Sequence, residues 1–174
     1  IKALSYTRSR VVFVTHFYEL ASALYRLDKE ADKENIEVVS LPLHEKTKGL
    51  YCDGVIALNK NISTTSEKTC VLAEELGHHY TTYGDIIDIS EISNRKQEIK
   101  ARRWAVRKVL PLESIISAYQ AGCRNMFEMA EYLGITEEFL KSAFSMYKAI
   151  YGICIEYNGY IIYFDPPGIL KNFK

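Results

Sequence analysis

The chain has 174 residues, of which 48% are hydrophobic and 25% are charged, a composition typical of a globular protein with a substantial buried core. Its 22 basic and 22 acidic side chains leave no formal net charge, so no overall field attracts it to nucleic acid or to an anionic membrane. No segment reaches the roughly 18 to 20 apolar residues of a membrane span, and four scattered cysteines without a C-x-x-C pair indicate reduced thiols in a cytoplasmic protein.

The N-terminal part of the chain is predicted to contain one helix and a short sheet. Residues 17–34 place apolar side chains near a 3.6-residue period, which indicates an amphipathic helix. Residues 36–39 are typical of a short strand. In residues 49–59 an Asp-Gly dipeptide separates two apolar runs, which predicts a β-hairpin. Residues 1–16 receive no assignment.

Two longer helices follow the hairpin. The first begins at Thr64, which has the spacing of a capping box with Glu67, and it ends near Gly84, a residue suited to a helix C-terminus. The second covers residues 94–110 and ends at Pro111. It is strongly basic, and we interpret its basic face as solvated.

The C-terminal part is predicted to form three helices at 113–121, 125–132 and 137–150, the last with Thr136 as its N-cap, and then a type I′ hairpin at 154–164. The last two helices have the spacing of a helix–turn–helix unit. Four glutamates surround their turn, namely Glu128, Glu131, Glu137 and Glu138. Because carboxylates repel phosphates, we interpret this pair as packing and expect no direct nucleic-acid binding.

No linker or repeat divides the sequence. We therefore predict a single domain over residues 17–174, with the helical hairpin at about 113–150 as a subdomain.

The motif that carries chemistry is Glu-Glu-Leu-Gly-His-His at residues 74–79. It differs at one position from His-Glu-x-x-His, which places two metal ligands at i and i+4 on one helix face, with the general base beside the first. Here Glu74 and His78 take the ligand positions, and Glu75 takes the position of the base. His79 lies four residues after Glu75, so a metal bound by these two is an alternative, although it would consume the base.

A third metal ligand must come from elsewhere in the chain. Asp85, Asp88 and Glu91 follow the motif helix closely, and Glu98 lies one turn before Ala101 in the basic helix, on a side that can face the motif. The spacing leaves these four candidates open.

In combination, these residues resemble the ImmA/IrrE metallopeptidase family of phages and mobile elements. Residues 72–82 look like its motif helix, and five later residues match its second helix, Glu-x-x-Ala-Asn-x-Phe-Ala with a closing Pro: Glu98, Ala101, Trp104, Ala105 and Pro111. The resemblance covers nearly everything from residue 17 to 170. It implies an α+β fold, a minimal zincin-like domain with a small antiparallel sheet, two crossing metal-site helices, and a C-terminal helical hairpin plus β-hairpin.

The resemblance also implies a function. Such proteins are metal-dependent endopeptidases of a prophage or mobile element, and they cleave or inactivate a helix–turn–helix repressor encoded beside them. It implies that Glu98 joins Glu74 and His78 as a metal ligand, and that Glu75 is the catalytic base. The strand at Val55–Leu58 is expected to be a sheet edge that pairs with extended substrate.

Two positions depart from the family pattern, since Glu74 stands where His is usual and Arg102 stands where Asn is usual. A site of Glu74, His78 and Glu98 is more anionic than one with two histidines, which weakens Zn²⁺ as a Lewis acid and brings in Mn²⁺ or Fe²⁺ as alternatives. The alternative function is a catalytically weak or inactive zincin-like adaptor that binds the repressor or DNA. A third is the toxin role that some relatives take beside a helix–turn–helix antitoxin.

Overall fold

The computed structural model of the chain describes residues 23–81 and 91–172, without the side chains of 91–94. Outside these ranges lie residues 1–16, the beginning of the predicted 17–34 helix, and the predicted helix end near Gly84. Within them the fold is α+β, with six helices and two three-stranded sheets. This is the predicted class, and it is compatible with a small zincin-like domain. The extent of the single domain stays a prediction.

The elements follow the predicted order. Helix α1 is described over residues 23–33, and it is followed by β1 (Glu37–Leu41), β2 (Gly49–Cys52), β3 (Val55–Asn59), α2 (Thr65–Thr81), α3 (Glu91–Val109), α4 (Leu112–Gln120), α5 (Met126–Leu133), α6 (Glu137–Tyr151), β4 (Cys154–Tyr157), β5 (Tyr160–Phe164) and β6 (Pro167–Lys171). Strand β6, which pairs with β5, is not among the predicted elements.

The first sheet corrects two expectations. Its strand order is β1-β3-β2, and β1 pairs with β3 in parallel, so the sheet is mixed rather than wholly antiparallel. The segment at Val55–Leu58 belongs to β3, the central strand, so its prediction as a sheet edge is wrong. The physical reason is burial, because Ile56, Ala57 and Leu58 in succession are buried, which requires cover on both faces of the strand.

Local signals place the turns and helix starts. Both predicted hairpins are present, and Asn158 and Gly159 have φ of 48° and 76°, as a type I′ turn requires. The Thr64 hydroxyl accepts a hydrogen bond from the Glu67 amide at 3.1 Å, and the Thr136 hydroxyl caps α6 in the same way. The Glu67 carboxylate itself forms an ion pair with Lys48.

One cluster of buried apolar side chains joins the helices to both sheets. It includes Leu72 and Leu76 of α2, Val106 of α3 and Ile162 of β5, all fully buried. Each such side chain stabilises the fold by roughly 1.5–3 kcal/mol relative to exposure to water. This core fixes α2 between the first sheet and α3, so the motif at its C-terminal end meets both. In the described ranges, no helix combines the length and the apolar character needed to cross a bilayer.

Candidate active site

The motif of α2 is divided between two faces of the helix. Glu74 and His78 point to α3, where each has an ionic partner. Glu75 lies against β2, and the His79 ring contacts Tyr51 of β2. The division follows from helix geometry, because neighbouring residues lie about 100° apart and residues i and i+4 share a face.

On the α3 face, His78 meets the predicted third ligand. The distance between His78 Nε2 and Glu98 Oε1 is 3.6 Å. The Glu98 side chain is 68% exposed, so this contact lies at the surface of α3. The structure therefore brings together two of the three predicted metal ligands.

Glu74, the remaining predicted ligand, has a different partner on α3. Its Oε1 accepts a hydrogen bond from Arg102 Nε at 3.0 Å, which is also an ion pair between an exposed guanidinium and a partly buried carboxylate. Charge-assisted hydrogen bonds of this kind are among the stronger ones in proteins.

The donor set of Glu74, His78 and Glu98 falls short of the needs of a zinc site. Catalytic zinc needs three protein ligands and an open position for water. In the described ranges no group of three His, Cys, Asp or Glu side chains is arranged to hold one metal ion. The arrangement of Glu74, His78 and Glu98 therefore does not fit a three-ligand site, and their assignment as ligands stays a prediction. Of the other candidates, Asp85 and Asp88 lie outside the described residues, as does the side chain of Glu91.

Glu75 occupies a partly buried position beside the edge strand β2. The backbone N–H of Tyr51 donates to its carboxylate, and a Cβ at Gly49 would lie 2.6 Å from Glu75 Oε1. Burial raises the pKa of Glu75 to about 7, the negative charge of Glu74 adds to this effect, and the Tyr51 hydrogen bond opposes it. A carboxyl with this pKa can exchange a proton near neutral pH, as a general base must.

His79 has protein partners on both ring nitrogens. The Tyr51 hydroxyl lies 2.8 Å from Nδ1, and Glu34 Oε2 lies 3.7 Å from Nε2. These contacts hold the ring at the junction of β2 and the residues after α1. The alternative metal site that uses His79 stays a prediction, and a metal at His79 would have to displace one of these partners.

A second group of contacts fixes α2 against its neighbours. Glu30 Oε1 accepts hydrogen bonds from the Tyr80 hydroxyl at 3.1 Å and from Lys108 Nζ at 2.9 Å. The Tyr80 ring stacks on Trp104, with 4.6 Å between ring centroids. These contacts join α1, α2 and α3 next to the motif, and the hydrogen bond from Lys108 is the main reason that the pKa of Glu30 is lowered.

Neither Tyr51 nor Glu34 is among the site residues predicted from the sequence, where Tyr51 is one of several tyrosines interpreted as core or rim aromatics. The available signal for Tyr51 was its place in a hairpin that directly precedes the motif helix, since consecutive elements usually pack together. Nothing local marks Glu34, because its contact with His79 depends on how α1 meets α2.

The described residues thus define a small α+β domain in which a Glu-Glu-x-x-His-His helix crosses a second helix beside an edge strand. A family model described as the IrrE N-terminal-like domain, a peptidase family, matches residues 31–145. The chain therefore belongs to this family, and it contains a metallopeptidase-like domain. The comparison with curated proteins gave no match. The family match agrees with the resemblance found in the sequence, and it runs from α1 into α6.

Proposed function

We propose that this chain is a metal-dependent endopeptidase of a prophage or mobile element, and that it cleaves a helix–turn–helix repressor. Membership of a peptidase family supports the reaction class. The observation that carries the proposal is the position of Glu75, a partly buried carboxyl with a pKa of about 7 beside the edge strand of the first sheet. The metal would be Zn²⁺, as is general for the family, with Mn²⁺ or Fe²⁺ as alternatives.

Strand β2, rather than β3, would bind the substrate. It is an outer strand of the first sheet, and Lys48 O accepts a hydrogen bond from Asn59 N of the neighbouring strand. In an antiparallel pair these bonds alternate, so the backbone groups of Gly49 and Tyr51 point away from β3. Because the Tyr51 N–H already donates to Glu75, an extended peptide laid along β2 would pair with the Gly49 N–H and with the carbonyl oxygens of Gly49 and Tyr51. Recognition would then rest mainly on the substrate backbone.

This placement brings a substrate peptide bond close to the proposed base, because Tyr51 N–H already reaches the Glu75 carboxylate. Glu75 would take a proton from the attacking water and return it to the amine that leaves. Substrate pairing with β2 would also exclude water from the site, which strengthens the electrostatic interactions there.

The second candidate is an adaptor that holds the repressor without cutting it. The observation in its favour is the ion pair between Glu74 and Arg102, which engages a predicted ligand. In an adaptor β2 would still pair with the repressor, but Glu75 would not be needed for inactivation.

The two functions separate in one experiment with Glu75→Gln. The chain is co-expressed with the helix–turn–helix repressor encoded beside its gene, and repressor length is followed by immunoblot together with a reporter of repression. We expect the native chain to shorten the repressor and Glu75→Gln to leave it intact at equal protein level. Glu131→Gln, an exposed acid on α5, is the matched control and should cleave normally. Cleavage by Glu75→Gln would exclude the proposed base. Relief of repression by this variant without cleavage would favour the adaptor.

A further inference from the structure

We infer that Arg102 binds Glu74 in place of a metal ion, so that the folded chain holds a two-donor metal site of low affinity, formed by His78 and Glu98. The inference concerns the metal centre of the proposed peptidase, but it depends only on contacts between α2 and α3. Three observations support it: the pairing of side chains between the two helices, the cavity that Glu74 faces, and the positive charge of Arg102.

Two pairs of side chains bridge α2 and α3 side by side. Glu74 and His78 are four residues apart on α2, and Glu98 and Arg102 are four residues apart on α3. Glu74 pairs with Arg102 at 3.0 Å, and His78 pairs with Glu98 at 3.6 Å. A three-ligand site requires the Glu74 carboxylate to leave Arg102 and join the other pair.

The Glu74 carboxylate also faces a different space from the other two donors. Glu74 and Arg102 both line a cavity of about 290 Å³ between α2, α3 and α6, and neither His78 nor Glu98 lines it. The cavity walls carry further charges from Lys48, Glu67 and Glu138. The pair is therefore part of a charged surface that continues away from the candidate metal position.

The charge of Arg102 opposes metal binding in a second way. A guanidinium carries a positive charge and several N–H donors, and it holds a carboxylate through charge-assisted hydrogen bonds. Its positive charge also repels a divalent cation placed beside Glu74. Two protein donors are fewer than a zinc site uses, so weak binding is the expected state of the native chain.

The test is a titration of metal-stripped protein with Zn²⁺, and separately with Mn²⁺, followed by competition with a chromogenic chelator. Five proteins are compared: the native chain, Arg102→Gln, Arg103→Gln, Glu74→Gln and the double variant Arg102→Gln with Glu74→Gln. Arg103 is the neighbouring exposed cation on the same helix, so its variant measures the effect of removing a charge alone. Circular dichroism checks folding, and the exposed positions of both arginines favour intact structure.

We expect Arg102→Gln to bind metal about tenfold or more tightly than the native chain, because it frees a carboxylate and removes a nearby positive charge. Arg103→Gln and Glu74→Gln should stay within about threefold of the native chain. The gain should also disappear in Arg102→Gln combined with Glu74→Gln, since the freed carboxylate is then missing.

Two results would overturn the inference. The first is a loss of about tenfold or more in Glu74→Gln, which would make Glu74 a ligand despite Arg102. The second is an affinity of Arg102→Gln no higher than that of Arg103→Gln. Metal affinity is measured without any substrate. A failure to find repressor cleavage therefore does not affect the conclusion about Arg102, and an unchanged metal affinity in Arg102→Gln does not exclude cleavage.

Discussion

Gly77 of α2 lies against the backbone carbonyl of Ala101 in α3, so closely that a Cβ at Gly77 would sit 2.3 Å from the Ala101 oxygen. Ala101 is itself only 1% exposed. The contact sets the distance at which the two helices cross. Since His78 follows Gly77 and Glu98 lies one turn before Ala101, this close crossing brings the two side chains within reach of each other.

Gly77→Ala should therefore destabilise the protein, although alanine normally favours a helix over glycine by about 1 kcal/mol. The added methyl group must push α2 and α3 apart, and we expect the free energy of unfolding to fall by about 2 kcal/mol. Urea denaturation followed by circular dichroism measures the change. Gly168→Ala in β6 is the control, because a Cβ there has no neighbour within 4 Å. A more stable Gly77→Ala would contradict the close crossing.

Gly49→Ala should disturb β2 and the proposed base together. Its Cβ would lie 2.6 Å from both Glu75 Oε1 and Val71 Cγ1, so either the strand or the Glu75 side chain must move. We expect a loss of about 1–3 kcal/mol in the free energy of unfolding. Val71→Ala makes room for the methyl group, so the two substitutions should be non-additive by about 0.5 kcal/mol or more. Additive losses in a double-mutant cycle would mean that Val71 does not restrict Gly49.

Glu30→Gln should lower thermal stability in a pH-dependent way. The ion pair with Lys108 lowers the pKa of Glu30 below its ordinary value of 4.5. A carboxyl whose pKa is lower in the folded state contributes stability above the unfolded-state pKa, and this is lost as pH falls through the folded-state pKa. The melting temperatures of the native chain and Glu30→Gln should differ near pH 7 and converge below about pH 4. A gap that stays constant over this range would exclude the charge effect, and Glu131→Gln serves as the exposed control.

Cys70 should resist alkylation in the folded protein. Burial raises the pKa of its thiol to about 11, and the Thr136 amide, which donates to Sγ, only partly opposes this. Because the thiolate is the reactive form, iodoacetamide near pH 8 should modify the exposed Cys52 and Cys154 and leave Cys70 intact until urea is added. Peptide mass spectrometry reads each site. Modification of Cys70 as fast as Cys52 would show that α2 opens locally.

The same thiol should contribute to alkaline instability. A thiol whose pKa is raised on folding supports the folded state below its ordinary pKa of 9.0. That support is lost as pH rises towards about 11. The melting temperature of Cys70→Ala should therefore decline less over this pH range than that of the native chain. The loss of packing in the variant lowers its melting temperature at every pH, so only the change with pH is compared.

Short-range signals were enough to predict most elements of this chain. These signals determine the local backbone over only a few residues, so they have the same effect whatever the rest of the fold. They are the Asp-Gly and Asn-Gly turns, the helix caps at Thr64 and Thr136, and the helix end at Pro111. The motif was also visible, because residues i and i+4 share a helix face regardless of tertiary structure. Both departures from the family pattern, Glu74 and Arg102, could be seen in the sequence as well.

The contacts between elements far apart in the chain could not be predicted from such short-range signals. A run of apolar residues does not say whether β3 is central or at an edge, because its neighbours are chosen by packing over the whole sheet. The pairing of Glu74 with Arg102, 28 residues later, depends on how deeply α2 and α3 cross. That depth is set where Gly77 meets Ala101, and the same crossing decides that a predicted metal ligand binds a guanidinium instead.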